Sequence, residues 1–203
     1  MKKIILSIAL VLLFSSVAQA RTSGYYIGGG YQQPLNFTWK EQATSTEKVR
    51  MWPGFGGFIV GGYDFERPDW LGIAVPLNVN YIKLNRSEWV MLFNADAEVI
   101  FHLMDESSKF DPFVSLLAGF NYMTEGKVSD ETASMGPSMG ASFGLRYTLS
   151  ESAYAGSTHV SNLSLFFEVP VKVTLFLNDE DVSKSKTLPI ISVPVRAGIT
   201  YTF

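Results

Sequence analysis

Read backwards from its last residue, the chain alternates without a break. Phe203, Tyr201, Ile199, Ala197, Val195, Val193 and Ile191 fall on one face, and Thr202, Thr200, Gly198, Arg196, Pro194, Ser192 and Ile190 on the other. A period of two marks a strand whose two sides meet unlike surroundings. The pattern recurs upstream and predicts eight strands, over residues 24–33, 54–65, 71–83, 89–103, 113–123, 135–149, 163–177 and 190–203. In the fourth, Trp89, Met91, Phe93, Ala95, Ala97, Val99 and Phe101 oppose Val90, Leu92, Asn94, Asp96, Glu98, Ile100 and His102. In the seventh, Leu165, Phe167, Val169, Val171, Val173 and Leu175 form the apolar face.

The N-terminus reads differently. Lys2 and Lys3 precede an apolar run over residues 4–14 broken only by Ser7, and Ala18-Gln19-Ala20 follows. This is the layout of a secretory signal with an A-x-A cleavage site. The run is shorter than the roughly 20 residues a helical span needs. Residues 1–20 are therefore expected to be a cleaved signal peptide, and residues 21–203 the barrel described next. The chain has no cysteine, which suits an oxidising compartment and excludes disulfide scaffolds, cysteine metal sites and a lipid-modified cysteine.

After residue 20 no apolar stretch is long enough for a helical span. A protein that crosses a membrane without helices must close its sheet, because every backbone N–H and C=O needs a partner inside it. Most predicted strands reach the roughly 9–11 residues that a tilted strand needs to cross a bilayer. Their number is even, as an up-and-down antiparallel barrel requires. The expected fold class is all-β: an antiparallel eight-stranded up-and-down transmembrane β-barrel. The outer loops are then residues 34–53, 84–88, 124–134 and 178–187. The inner turns are 66–70, 104–112 and 150–162.

Composition supports a membrane location. Charged residues make up only 17% against 14% aromatic, and mean hydropathy is positive, partly through the signal. The aromatics gather at predicted strand ends. Tyr25, Tyr63, Phe65, Trp70, Phe101, Tyr147, Tyr201 and Phe203 lie at the inner rim, and Tyr31, Tyr81, Trp89 and Tyr122 at the outer one. Two such girdles mark the boundaries between lipid and water. The formal net charge is −3 and becomes more negative once Lys2 and Lys3 are removed. No basic patch suits nucleic acid.

The signal, the Gly-Tyr-Tyr-Ile-Gly-Gly-Gly-Tyr opening strand at residues 24–31, the eight alternating strands and the terminal Tyr201-x-Phe203 together resemble the OmpA/OmpX-type outer-membrane barrel superfamily. The resemblance spans the whole mature chain as a pattern. It implies a Gram-negative outer-membrane location, contact with outer-membrane lipid and lipopolysaccharide, and recognition of Tyr201 and Phe203 by the barrel-assembly machinery. Unlike OmpA itself, the chain is expected to stop at the barrel, with no peptidoglycan-binding domain after it.

If the apolar face meets lipid, the other face lines the lumen. There Asp96, Glu98 and Glu168 stand against Arg146, Lys172 and Arg196. Buried charge is costly unless paired, so a salt-bridged plug is expected, with Arg146 and Arg196 as partners of the acids. Glu168 and Lys172 lie roughly 13 Å apart along one strand and should pair with other strands. Eight strands leave little free bore. A closed polar lumen is therefore the expectation, ahead of a small pore.

Pro76, Pro137, Pro170 and Pro194 fall within predicted strands. A closed barrel has no edge for a missing N–H donor, so each marks a bulge or a broken ladder bond. Pro170 and Pro194 lie on adjacent strands. In having such proline-weakened seams, lipid A palmitoyltransferase barrels are similar to this chain.

Acid–base chemistry has few candidates, since the chain has two histidines. His159-Val160-Ser161-Asn162 is similar to the His-x-Ser-Asn motif of lipid A 3-O-deacylases. That resemblance implies His159 as base and Ser161 as nucleophile, with Glu168 the nearest acid to orient the imidazole. In those enzymes the motif sits at the outer end of a strand, whereas here it falls in the third inner turn. The chain is therefore expected to be no enzyme. His102, four residues from Glu98 on one face, is expected to be a capped interior histidine. No metal or cofactor is expected. The expected role is structural or surface-interactive, by a monomer whose outer loops, with Phe37, Trp39 and Trp52, meet an extracellular partner. The alternatives are a lipid A-modifying enzyme and a small pore.

Overall fold

The computed structural model describes residues 23–38, 51–84, 88–105, 108–124, 133–153, 160–178 and 188–203. The signal segment, His159, Trp39 and most of the four outer loops lie outside the described residues. Eight strands close into one antiparallel sheet. Strand β1 consists of Gly24–Gln33 and Asn36–Thr38, interrupted at Pro34 and Leu35. Then follow β2 (Met51–Asp64), β3 (Leu71–Leu84), β4 (Glu88–His102), β5 (Phe110–Met123), β6 (Ala133–Ala153) and β7 (Val160–Asn178). Strand β8 consists of Leu188–Ser192 and Val195–Thr202. Each strand pairs with the next, and β8 pairs back onto β1, from Tyr26 opposite Thr202 to Thr38 opposite Ile190.

The sidedness follows the alternation. Ile59, Val75, Leu116, Met139, Phe143 and Ile199 are more than half exposed on the outer surface. Gln32, Asn80, Asp96, Glu98, Glu168 and Arg196 are buried inside. A soluble sheet places these two sets the other way round. The inward placement of charge satisfies a barrel whose solvent is lipid. Aromatic pairs stand at both ends. Tyr25–Tyr63 and Trp70–Phe101 meet at the end that carries the termini, and Phe55–Tyr81 and Phe93–Tyr122 at the far end.

The third inner turn is shorter than the sequence predicts. Strand β6 runs on to Ala153 and β7 begins at Val160, so Ser161 and Asn162 lie in strand, opposite Ser152 and Glu151. Polar residues at a strand end pair as readily as they turn, and the loss of apolar alternation there hid the extension.

The in-strand prolines gain a definite meaning from the register. The β7–β8 ladder runs from Asn162–Thr202 to Glu168–Arg196, then resumes at Lys172–Ser192. Pro170 and Pro194 stand directly opposite each other in the gap. The Val193 N–H donates to Leu35 O of β1 at 2.7 Å, so position 194 aims its backbone at β7. Both members of that rung lack the N–H that would close it. The register also sets Pro34 beside Pro194 on the other side. The β3–β4 ladder skips Pro76 and its partner Asp96 in the same way.

Restoring the two donors should strengthen the seam. An unsatisfied backbone group in lipid costs several kcal/mol, more than the roughly 0.4–1 kcal/mol per site that proline gives by stiffening the unfolded chain. The P170V/P194V double variant is expected to gain about 2 kcal/mol or more from the balance of these two costs. The check is urea unfolding of barrels refolded into vesicles, with an unchanged midpoint counting against the broken rung.

Candidate functional site: the lumen plug

The inward face is layered. Near the middle, Arg196 of β8 is the hub, with 1% of its surface exposed. Its Nη1 donates to Glu98 Oε1 of β4 at 3.1 Å and to Glu168 Oε2 of β7 at 3.0 Å. Its Nε donates to Gln32 Oε1 of β1 at 2.8 Å, and its Nη2 stands 3.6 Å from Asp96 Oδ2. Lys172 Nζ of β7 donates to that same Asp96 oxygen at 2.7 Å. Four strands on different sides of the barrel are thus tied through one guanidinium. The planar fork of arginine makes this possible, since it presents several donors at fixed angles.

Beyond this layer, toward the far end, amides continue the network. Gln32 Nε2 donates to Asn80 Oδ1 at 2.8 Å, and Asn80 Nδ2 donates to Asn94 Oδ1 at 3.2 Å. Asn121 Nδ2 donates to Thr174 Oγ1 at 2.8 Å. The inward positions still further out, Ile82, Val90, Leu92, Met123 and Ile190, are buried and apolar.

On the terminal side an aromatic layer intervenes. Tyr26, Phe58, Val60, Ala74, Ile100 and Phe113 cluster, with Phe166 packed against them. Phe166 stands 5.7 Å from Phe58 and 6.0 Å from Phe113, between ring centroids. The Phe113 ring lies over Gly144, where a Cβ would collide with it.

Past the rings lies a second charged group. His102 Nδ1 meets Asp111 Oδ2 at 2.8 Å, and its Nε2 meets Asp64 Oδ1 at 3.2 Å. Arg146 Nη1 donates to Asp64 Oδ2 at 2.5 Å. The Arg146 guanidinium also lies 4.6 Å from the centre of the Tyr26 ring. A carboxylate only accepts hydrogen bonds, so His102 can donate from both nitrogens only when it carries charge.

The sequence-derived set is thus divided. Asp96, Glu98, Glu168, Lys172 and Arg196 meet in one network. Arg146 does not join it, but pairs with Asp64 beyond the aromatic layer. Asp64 and Asp111 escaped the sequence reading because each stands at a strand end that blended into a turn. Their inward parity was the available signal. The lumen is also not polar throughout, as the sequence suggested. The bore is narrow enough for opposite walls to touch, so Phe58, Phe113 and Phe166 bury against one another.

Ser161 and Glu168 are seven residues apart on β7, an odd separation that puts them on opposite faces. Glu168 points inward to Arg196 while Ser161 lies on the outward-parity set. The structure does not bring the two together. Tyr201 and Phe203 stack edge to face at 5.2 Å on the outer surface, and the Phe203 N–H donates to Tyr25 O at 2.8 Å. Among the described residues no cluster of three or more His, Cys, Asp or Glu is arranged to hold a metal.

A closed antiparallel barrel with apolar residues outside and paired charge inside is an outer-membrane barrel. The profile of the outer membrane protein beta-barrel domain family matches residues 6–159, and the chain belongs to that family. Among solved structures, OprG from Pseudomonas aeruginosa superposes with a TM-score of 0.60 at 10% identity, over 93% of this chain and 99% of that one. Neisserial surface protein A superposes with a TM-score of 0.53 at 17% identity, over 89% and 98%. At such identities these likenesses speak for the fold. No curated protein matches the sequence.

Proposed function

We propose that this protein is a non-catalytic outer-membrane barrel with a closed lumen, which supports the envelope and presents its outer loops, above all the one within residues 35–52, to an extracellular partner. The observation that carries this reading is the Arg196 hub. Its partners come from β1, β4 and β7, so the bore is spanned at mid-height by side chains. The aromatic layer spans it again below. A lumen tied twice across leaves the outer surface and the loops as the parts free to act. On this reading residues 1–20 are removed on export, the barrel is a monomer among outer-membrane lipid and lipopolysaccharide, and Tyr201 and Phe203 present the terminal strand to the assembly machinery.

One observation favours a second reading, a barrel that acts on outer-leaflet lipid. The opposed Pro170 and Pro194 leave three residues on each strand of the β7–β8 wall unpaired, with roughly 13 Å of strand between the flanking pairs. Mass spectrometry of lipid A separates the two. Cells overproducing the protein and cells lacking it are expected to give the same acyl masses. An acyl mass that appears with the wild type and disappears with S161A would overturn the non-catalytic reading.

A further inference from the structure

The charges of the mid-lumen group do not balance. Among the described residues, Asp96, Glu98 and Glu168 are opposed by Lys172 and Arg196 alone, and all five are at most 5% exposed. The second group stands apart. There Asp64 and Asp111 meet Arg146 and His102, which carries charge when it donates to both. The aromatic layer stands between the two groups. An uncompensated charge at this depth, with lipid beyond the wall, is costly.

The surplus can be located. Arg196 Nη1 gives its two N–H groups to Glu98 and Glu168, so one positive charge faces two carboxylates. Glu168 has no exposed surface, and its Oε1 has no hydrogen-bond partner. Beside it is a cavity of about 10 Å³, bounded by Glu98, Glu168 and Arg196 and by the apolar Phe58, Pro76 and Phe166. That is about the room of one water molecule. The titratable and charged groups facing this point are Tyr26 from β1, Asp96 and Glu98 from β4, Arg146 from β6 across the Tyr26 ring, Glu168 and Lys172 from β7, and Arg196 from β8.

We propose that the Glu98–Glu168 pair holds one proton, with Glu168 Oε1 and the cavity beside it as the place for it. The proton makes the described mid-lumen group neutral and lets the free oxygen donate to a water in the cavity. One carboxylate of the pair then remains opposed to Arg196 Nη1. The site rests on the closed lumen, since a water-filled bore would balance the charge with mobile ions.

The test uses the full barrel refolded in micelles, with ¹³C-labelled glutamate to identify its carboxyl stretch by infrared spectroscopy. Spectra are taken at neutral pH in choline chloride and in sodium chloride. A proton gives one protonated glutamate per chain in both salts, lost in E98Q and in E168Q. A band present in choline chloride and absent in sodium chloride would mean that a metal cation displaces the proton, and overturns the assignment. A folded wild-type barrel with no such band overturns it, and so does a band that survives both substitutions. Single-channel recording of the same preparation keeps the two failures apart. Conductance steps would refute the closed lumen, whereas a silent barrel without the band refutes only the charge site.

Discussion

Replacing Arg196 by methionine is expected to cost roughly 3–5 kcal/mol, the range for removing one partner of a buried ion pair. Glu98 and Glu168 would each lose their only ion-pair partner among the described residues, and Gln32 would lose the donor that anchors it to β8. Methionine keeps much of the volume, so the loss reads charge and hydrogen bonding more than packing. Lysine should recover part of it, because one ammonium cannot reproduce a fork that reaches Gln32, Glu98, Glu168 and Asp96 at once. The measurement is denaturant unfolding in vesicles, with heat-modifiable gel mobility as the check on folding. A methionine variant as stable as the wild type would mean that the plug does not hold the barrel together. Removing a carboxylate should be milder: E98Q or E168Q keeps the shape and relieves the excess of negative charge.

Placing arginine at Leu116 is the second large effect. Leu116 is 59% exposed near the middle of β5. In a soluble protein, a substitution at such an exposed site usually changes stability by no more than about 0.5 kcal/mol. On the lipid face at mid-depth, arginine costs about 2–4 kcal/mol, falling toward zero near the interfaces. L116R is therefore expected to lose about that amount in bilayers, while arginine at Tyr25, in the aromatic girdle at the terminal end, loses far less. Equal costs at the two positions would contradict the lipid-facing assignment of the outer surface.

Some of this was legible in the sequence because strand parity is strict. Once Tyr25 and Ile27 face out, Tyr26 must face in, and the same count places Asp96, Glu98, Glu168, Lys172 and Arg196 inside. What parity does not supply is the partner across the bore. Arg146 is inward by count, yet its partner is Asp64, eighty-two residues away. Barrel tilt and stagger decide which heights meet, and no single strand encodes them. The opposed prolines were hidden for the same reason. That Pro170 and Pro194 lie on adjacent strands is a matter of order, whereas their sharing one rung is a matter of register. The apolar layers were underrated because Phe58, Phe113 and Phe166 occupy inward positions that a wide, hydrated lumen would not tolerate. They are comfortable only where facing walls touch.

The central claim is that side chains close the bore. Single-channel recording of the wild-type barrel in a planar bilayer tests it most directly. Purified and shown to be folded by its heat-modifiable mobility, the protein is expected to insert without producing conductance steps. Uniform, long-lived steps in the wild type, whose ion selectivity changes with E168Q, would mean that Arg196 and its carboxylates line an open path, and would contradict the account.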